Sequence, residues 1–282
     1  MTDSPAEAAK LGIYLYCLAR PECLALVQGL AEHALHGVDE RYPVTTLALD
    51  QPKDGVVAVI GQVDPAEFSE QNLQALDWLG PRAQRHEAVV QQIRDVSPVL
   101  PVKFGTMFRS RDSLKEFLDR HHKDIEQALY ALRDKAEWSV KGYLVEEDAR
   151  TIIAAEDTGV QSRRAALSPS PGLRYLQQKQ LDALIEAALR AWVARVTHDL
   201  HDVLVRHAVD SSALRLHASA VTGRPERMVF NVSFLLDPAA LADFRAALSD
   251  QQQAHQRTGL TLELRGPWPP YNFAPRLSEG KA

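Results

Sequence analysis

The 282-residue chain is 45% hydrophobic and 24% charged, with a formal net charge of −5, a composition typical of globular proteins and a length that holds two cores. That acidic balance offers no basic field for nucleic acid and no polybasic anchor for a membrane surface. No apolar run is long enough to cross a bilayer, and residues 1–10 are polar, lack the apolar centre of a secretion signal and read as a disordered leader.

In chain order, Gly12 to Leu18 alternates aromatic and aliphatic residues and predicts a strand. Pro21 and Glu22 open a short helix carrying Leu24, Leu26, Val27 and Leu30. Val44 to Leu49 is a second strand, Pro52-Lys-Asp-Gly55 a turn, and Val56 to Ile60 a third strand. The segment from Asp64 to Leu79 reads as an insertion, partly helical. Pro81 to Val96 is a helix with Ala83, His86, Val89, Val90 and Ile93 on one side. A fourth strand from Val99 to Val102 runs through Pro101 and breaks at Phe104-Gly105-Thr106. Only glycine takes a positive φ without strain, so Gly105 marks a forced bend between strand and helix. The order βαββαβ is the split pattern of a ferredoxin-like domain, assigned to residues 11–110.

A connecting helix follows over about 112–134, within a 111–136 linker. Ser113-Leu-Lys-Glu116 matches a capping box. Leu114, Leu118, His121, Ile125, Ala128 and Leu132 form a seam too short for a free zipper. Residues 137–282 repeat the theme as a C-terminal α+β domain. Trp138 to Val145 is a strand, and Glu146 to Ser170 reads as a loop. A long helix spans 173–209, roughly 50 Å at 1.5 Å per residue, more than a small sheet can cover. Strands at Ala213–Val221 and Met228–Leu236, a helix capped by Asp237-Pro238 and a strand at Leu260–Leu264 complete it. The predicted fold class is therefore α+β: two ferredoxin-like variants joined by a helix.

Chemistry-bearing constellations are sparse. Cys17 and Cys23 lack C-x-x-C spacing and read as buried, reduced thiols of a cytoplasmic protein. His198 and His201 stand three apart beside Asp199 and Asp202, and His121-His122 is a second pair, yet neither has a full ligand set. A solvated helix face accounts for both, and no metal or cofactor is assigned. Tyr14 and Tyr16 resemble the stacking pair of an RNA-binding module, but the third strand has no aromatic to match and the charge is wrong. Ser219 and Ser233 lack a nucleophile elbow, and no phosphate-cradling loop occurs. No catalytic residue is assigned. The stiff tail at 266–273 holds Trp268, Tyr271 and Phe273 after the last strand, either to seal the second core or to dock a partner. With Trp192 of the long helix, these are the candidate partner-binding residues.

At Val99-Leu-Pro-Val-Lys-Phe-Gly-Thr106, together with Glu137-Trp138, the chain resembles the gas vesicle protein F/L family (GvpF/GvpL). Tyr14-Leu-Tyr16, His86-Glu87 with Val89-Val90, Pro171-Gly172 with Tyr175-Leu176, and Gly266-Pro-Trp-Pro-Pro-Tyr271 extend the match in order over nearly the whole chain. Pro101, Phe104, Gly105, Thr106 and Trp138 are its signature positions here. Lys103 and Met107 depart mildly from the arginine and valine frequent in the family. The resemblance implies a two-domain, non-catalytic accessory protein of gas vesicle formation, without cofactor. Its implied partners are the major gas vesicle shell subunit, small and very apolar, and other gas vesicle accessory proteins, with no nucleic acid and no membrane. The implied place is the cytoplasm and the gas vesicle shell. The competing expectation is a metal-binding enzyme on a ferredoxin-like scaffold.

Overall fold

A computed structural model of the chain describes residues 11–30, 37–48, 55–275 and 277. The leader and the predicted turn at 52–54 lie outside the described residues. Two compact units are present. One is built from the chain up to Ala136 plus the segment from Trp268 onward, the other from Glu137 to Pro267.

The first unit contains β1 (Gly12–Ala19), α1 (Leu24–Leu30), β2 (Thr45–Ala48), β3 (Val57–Val63), α2 (Glu70–Gln74), α3 (Leu76–Arg94), β4 (Val99–Pro101), β5 (Met107–Phe108) and α4 (Arg111–Ala131). Its sheet runs β2-β3-β1-β4 with every neighbouring pair antiparallel, and β5 pairs with the far end of β1. All eight residues of β1 are buried, so both faces of this central strand are covered, and its sequence is correspondingly apolar without polar alternation. Both α3 and α4 pack on β1 and β4. Pro101 is tolerated because β4 is an edge strand, where a missing N–H breaks no ladder.

Two expectations change here. The helix expected to connect the domains is part of the first unit, burying Leu114, Phe117, Leu118, Ile125 and Leu129; its seam belongs to the core of that unit. Its cap lies one turn earlier than predicted. The Ser110 hydroxyl accepts from the Ser113 N–H at 3.1 Å, and the Ser113 hydroxyl accepts from the Ser110 N–H at 3.1 Å, a reciprocal pair that serves as a capping box without a glutamate.

The second unit holds β6 (Ala136–Leu144), α5 (Glu146–Glu156), α6 (Thr158–Ala165), α7 (Pro171–Val205), β7 (Asp210–Ala213), α8 (Ser219–Thr222), β8 (Arg227–Leu236), α9 (Leu241–His255) and β9 (Leu260–Trp268). Its sheet order is β7-β8-β6-β9, the same permutation of chain order as in the first unit. The duplication is thus one of sheet order.

Most of the expected loop at 146–170 is instead two helices, and residues 166–170 stay outside regular structure. Three acids fill the first turn of α5, where the helix dipole favours negative charge. The Asp157 carboxylate caps α6 by accepting from the Val160 N–H at 2.9 Å. These helices bury Ala149, Ile153, Ala154 and Val160. The strand expected at Ala213–Val221 instead lies earlier, at Asp210–Ala213, and shares only Ala213 with that expectation. After β7 the chain leaves the sheet, forms α8, and turns at Gly223 with φ +68°.

Candidate functional site

The signature segment closes over a buried aromatic cluster. β1 places Tyr14 and Tyr16 side by side, ring centroids 4.9 Å apart, and both are essentially inaccessible. From α3, His86 meets both rings at 5.7 Å. Phe104 stands edge-on to Tyr14 and to His86. A buried phenol needs hydrogen-bond partners. The Tyr14 oxygen lies 2.9 Å from His86 Nδ1 and accepts from the Gly105 N–H at 3.0 Å. The Tyr16 oxygen accepts from the Val38 N–H at 2.9 Å. Gly105 holds φ +83°, and the Thr106 hydroxyl closes the bend by donating to the Lys103 carbonyl at 2.7 Å. The glycine bend therefore anchors the loop to β1 through Tyr14.

Burial dominates the electrostatics of this cluster. It raises both tyrosine pKa values well above their ordinary range. It also pushes the His86 pKa down to about 4, against the opposite pull of the Val102 carbonyl. His86 is thus a neutral core histidine at pH 7. Its sequence signal was its place among Ala83, Val89, Val90 and Ile93 on the apolar side of the helix.

The tail joins the same unit. Pro269 and Pro270 are buried, and Tyr271 packs against the first core with its ring 6.4 Å from that of His86. Burial, and then the neighbouring Glu87 carboxylate, raise the Tyr271 pKa. The sealing role considered for the tail is therefore played in the first core, not the second. Phe273 is half-buried, while Trp268 is 42% exposed.

In the second unit Trp138 is 7% exposed, with the Arg245 guanidinium 5.2 Å above its ring. Beside it on β6, Glu137 is buried and accepts from the Ser233 hydroxyl at 2.7 Å; Ser139 and Ser233 oxygens are 3.2 Å apart. Trp192 is packed against the core and stands edge-on to His255. It belongs to the second unit, whereas Tyr271 and Phe273 of the tail belong to the first.

The remaining candidates have structural partners. Cys17 and Cys23 are free and buried, and burial raises both thiols, Cys23 to about 11, the opposite of an activated nucleophile. His201 Nε2 bonds the Ser211 hydroxyl at 3.1 Å, and both His198 and His201 lie near Asp202. Among the described residues no group of three or more His, Cys, Asp or Glu side chains is placed to hold a metal ion, and no helix is long and apolar enough to cross a membrane. Sequence reasoning missed an ion-pair network in the first unit, where Arg41 joins Asp39 and Glu67, and Arg82 joins Glu67 while lying 4.3 Å over Trp78. Burial raises the Asp39 pKa, but its bonds to Arg41 outweigh this and hold it low.

One surface remains apolar and unspent. The first ten residues of α7 bury no side chain, and Leu181 is the first that does. Leu173, Tyr175 and Leu176 are 50%, 61% and 58% exposed.

The family model "Gas vesicle synthesis protein GvpL/GvpF" matches residues 12–275. Gas vesicle protein L of Streptomyces sp. (strain CB03234) is 27% identical over 265 residues, covering 93% of this chain and 92% of its own. Gas vesicle protein F of the same strain is 28% identical over 188 residues, covering 67% and 75%. The crystal structure of the gas vesicle protein GvpF from Anabaena sp. PCC7120 superposes with a TM-score of 0.71 at 17% identity, over 94% of this chain and 98% of that one, a likeness of fold.

Proposed function

Because the chain belongs to the gas vesicle GvpL/GvpF family, we propose that it is a non-catalytic accessory protein that binds the small apolar shell subunit and other accessory proteins during gas vesicle assembly. A subunit destined to coat a gas interface exposes apolar surface beforehand, and exposed apolar patches associate indiscriminately. A partner that covers such surface keeps the subunit available for ordered addition. The observation that carries this reading is the free apolar end of α7, where Leu173, Tyr175 and Leu176 stand clear of the core. Trp268 offers a second exposed aromatic. Docking a helix into an apolar groove is the mode such a surface supports.

The strand orders β2-β3-β1-β4 and β7-β8-β6-β9 support reading both units as ferredoxin-like variants. On this reading the protein acts in the cytoplasm and at the vesicle shell. Its aromatic signature cluster positions the loop after β4 and turns nothing over.

Co-expression with the shell subunit tests the proposal. The subunit is expected to stay in the supernatant and co-purify with the full chain. A subunit that aggregates to the same extent with and without the chain, and never co-purifies, overturns it.

A further inference from the structure

β9 is the outer strand of its sheet, with β6 on one side and no further strand on the other among the described residues. Successive residues of a strand turn their backbone groups to opposite edges. The Gly259 carbonyl accepts from the Val145 N–H at 3.1 Å, so odd-numbered residues face β6 and Leu260, Leu262, Leu264 and Gly266 face outward. The Gln252 side chain of α9 closes the first part of this edge, donating to the Leu260 carbonyl at 3.0 Å and accepting from the Leu262 N–H. The Leu262 carbonyl, both backbone groups of Leu264 and the Gly266 N–H remain turned outward. Pro267, which has no N–H, ends the run.

An outer strand invites another unless its charges repel the newcomer. Here the charges complement a second copy of the same strand. Glu263 and Arg265 flank Leu264 and share one face of the sheet, with Arg265 58% exposed and donating to Glu263 at 3.0 Å. Glu263 also pairs with Arg224. An antiparallel copy related by a two-fold axis at Leu264 sets Glu263 opposite Arg265 of the second copy, and Arg265 opposite its Glu263, at closely spaced positions. In that register the two Leu264 residues exchange both backbone bonds, and each Gly266 N–H meets the Leu262 carbonyl of the other copy. Moving the axis to Leu262 requires the N–H that Gln252 holds and sets Glu263 opposite Thr261. Moving it to Gly266 sets Arg265 opposite Pro267.

From this arrangement we infer that the chain self-associates through the outer edge of β9, two copies pairing antiparallel about Leu264 into one continuous sheet. The inference is independent of the reading that the chain binds apolar protein segments. Backbone bonds supply the attachment, and the Glu263–Arg265 pairs select the register and the partner.

Sedimentation of the full chain from about 1 µM to about 500 µM is expected to show a reversible monomer–dimer equilibrium. Glu263→Arg and Arg265→Glu each set like charges opposite one another, and each is expected to weaken the dimer about tenfold. Mixed together, the two variants regain opposite charges at both cross-strand positions and are expected to form a heterodimer. Circular dichroism verifies folding. Hydrogen exchange of the unaltered chain needs no substitution: the Leu264 and Gly266 amides should slow as concentration rises, while the Leu262 amide, held by Gln252, should not change. A chain that stays monomeric throughout, a dimer that neither charge reversal weakens, two weakened variants that do not recover on mixing, or exchange at Leu264 independent of concentration overturns the inference. Protection of Leu264 that appears only when the shell subunit is added to a monomeric chain overturns it in favour of a strand supplied by that subunit. None of these results bears on whether the chain keeps the shell subunit in the supernatant, so the two proposals fail separately.

Discussion

The Tyr14 hydroxyl oxygen lies 2.9 Å from His86 Nδ1, joining the central strand of the first sheet to the helix packed against it across 72 residues of sequence. The same oxygen accepts from the Gly105 N–H. Three segments far apart in the chain thus meet at one phenol.

Replacing Tyr14 by Phe keeps the ring and leaves the Gly105 N–H and His86 Nδ1 without this partner. A buried polar group stripped of its partner costs about 1–3 kcal/mol. Urea unfolding of Tyr14→Phe should show a midpoint lowered accordingly, at unchanged slope. A midpoint equal to wild type would mean that water or a shifted loop replaces the phenol.

His86 makes stability depend on pH. Its folded pKa of about 4 lies below the ordinary 6.5, so between those values the unfolded chain takes up a proton that the folded one refuses. Stability is therefore full above about pH 6.5 and falls as pH drops toward 4, by about 3 kcal/mol from this group. His86→Gln is expected to flatten that part of the profile relative to wild type. Parallel pH profiles for the two proteins would contradict the assignment.

Gly105 tests conformation apart from packing. A Cβ there meets nothing within 4 Å, but φ is +83°, so Gly105→Ala should cost about 1–2 kcal/mol through backbone strain alone. Gly105→Asn should cost less, since asparagine visits this region more readily. At Gly37 a Cβ would sit 2.3 Å from the Tyr16 hydroxyl, and Gly37→Ala should destabilise through a clash that Tyr16→Phe relieves. Melting temperatures of the four variants separate the two mechanisms.

The tail aromatics should differ in effect. Tyr271 packs on the first core and Trp268 is exposed. Tyr271→Ala is expected to lose about 2 kcal/mol through the cavity it leaves. Trp268→Ser should stay within about 0.5 kcal/mol of wild type, the range of surface changes. Calorimetry checks both, and a larger loss from Trp268→Ser would reverse the assignment of which residue seals the unit.

Much of the architecture is written in local patterns. β1, β3, β8, α3, α7 and α9 follow from runs and periodicities that neighbouring residues carry by themselves. Gly105 is legible for the same reason, because a positive φ is a property of one residue. Two local readings failed. Polarity hid α5 and α6, whose apolar contacts are few, and a β-rich run at Ala213–Val221 lost its ladder once the chain left the sheet after Ala213.

The sequence by itself determined that the chain is an α+β protein of two units, and its ordered motifs pointed to its family. The tertiary structure alone decided that the tail belongs to the first unit, that His86 answers Tyr14, and that the start of α7 is left uncovered. Periodicity reports which face of an element is apolar. Which element covers that face, and which is left uncovered, depends on long-range packing that no window of sequence contains.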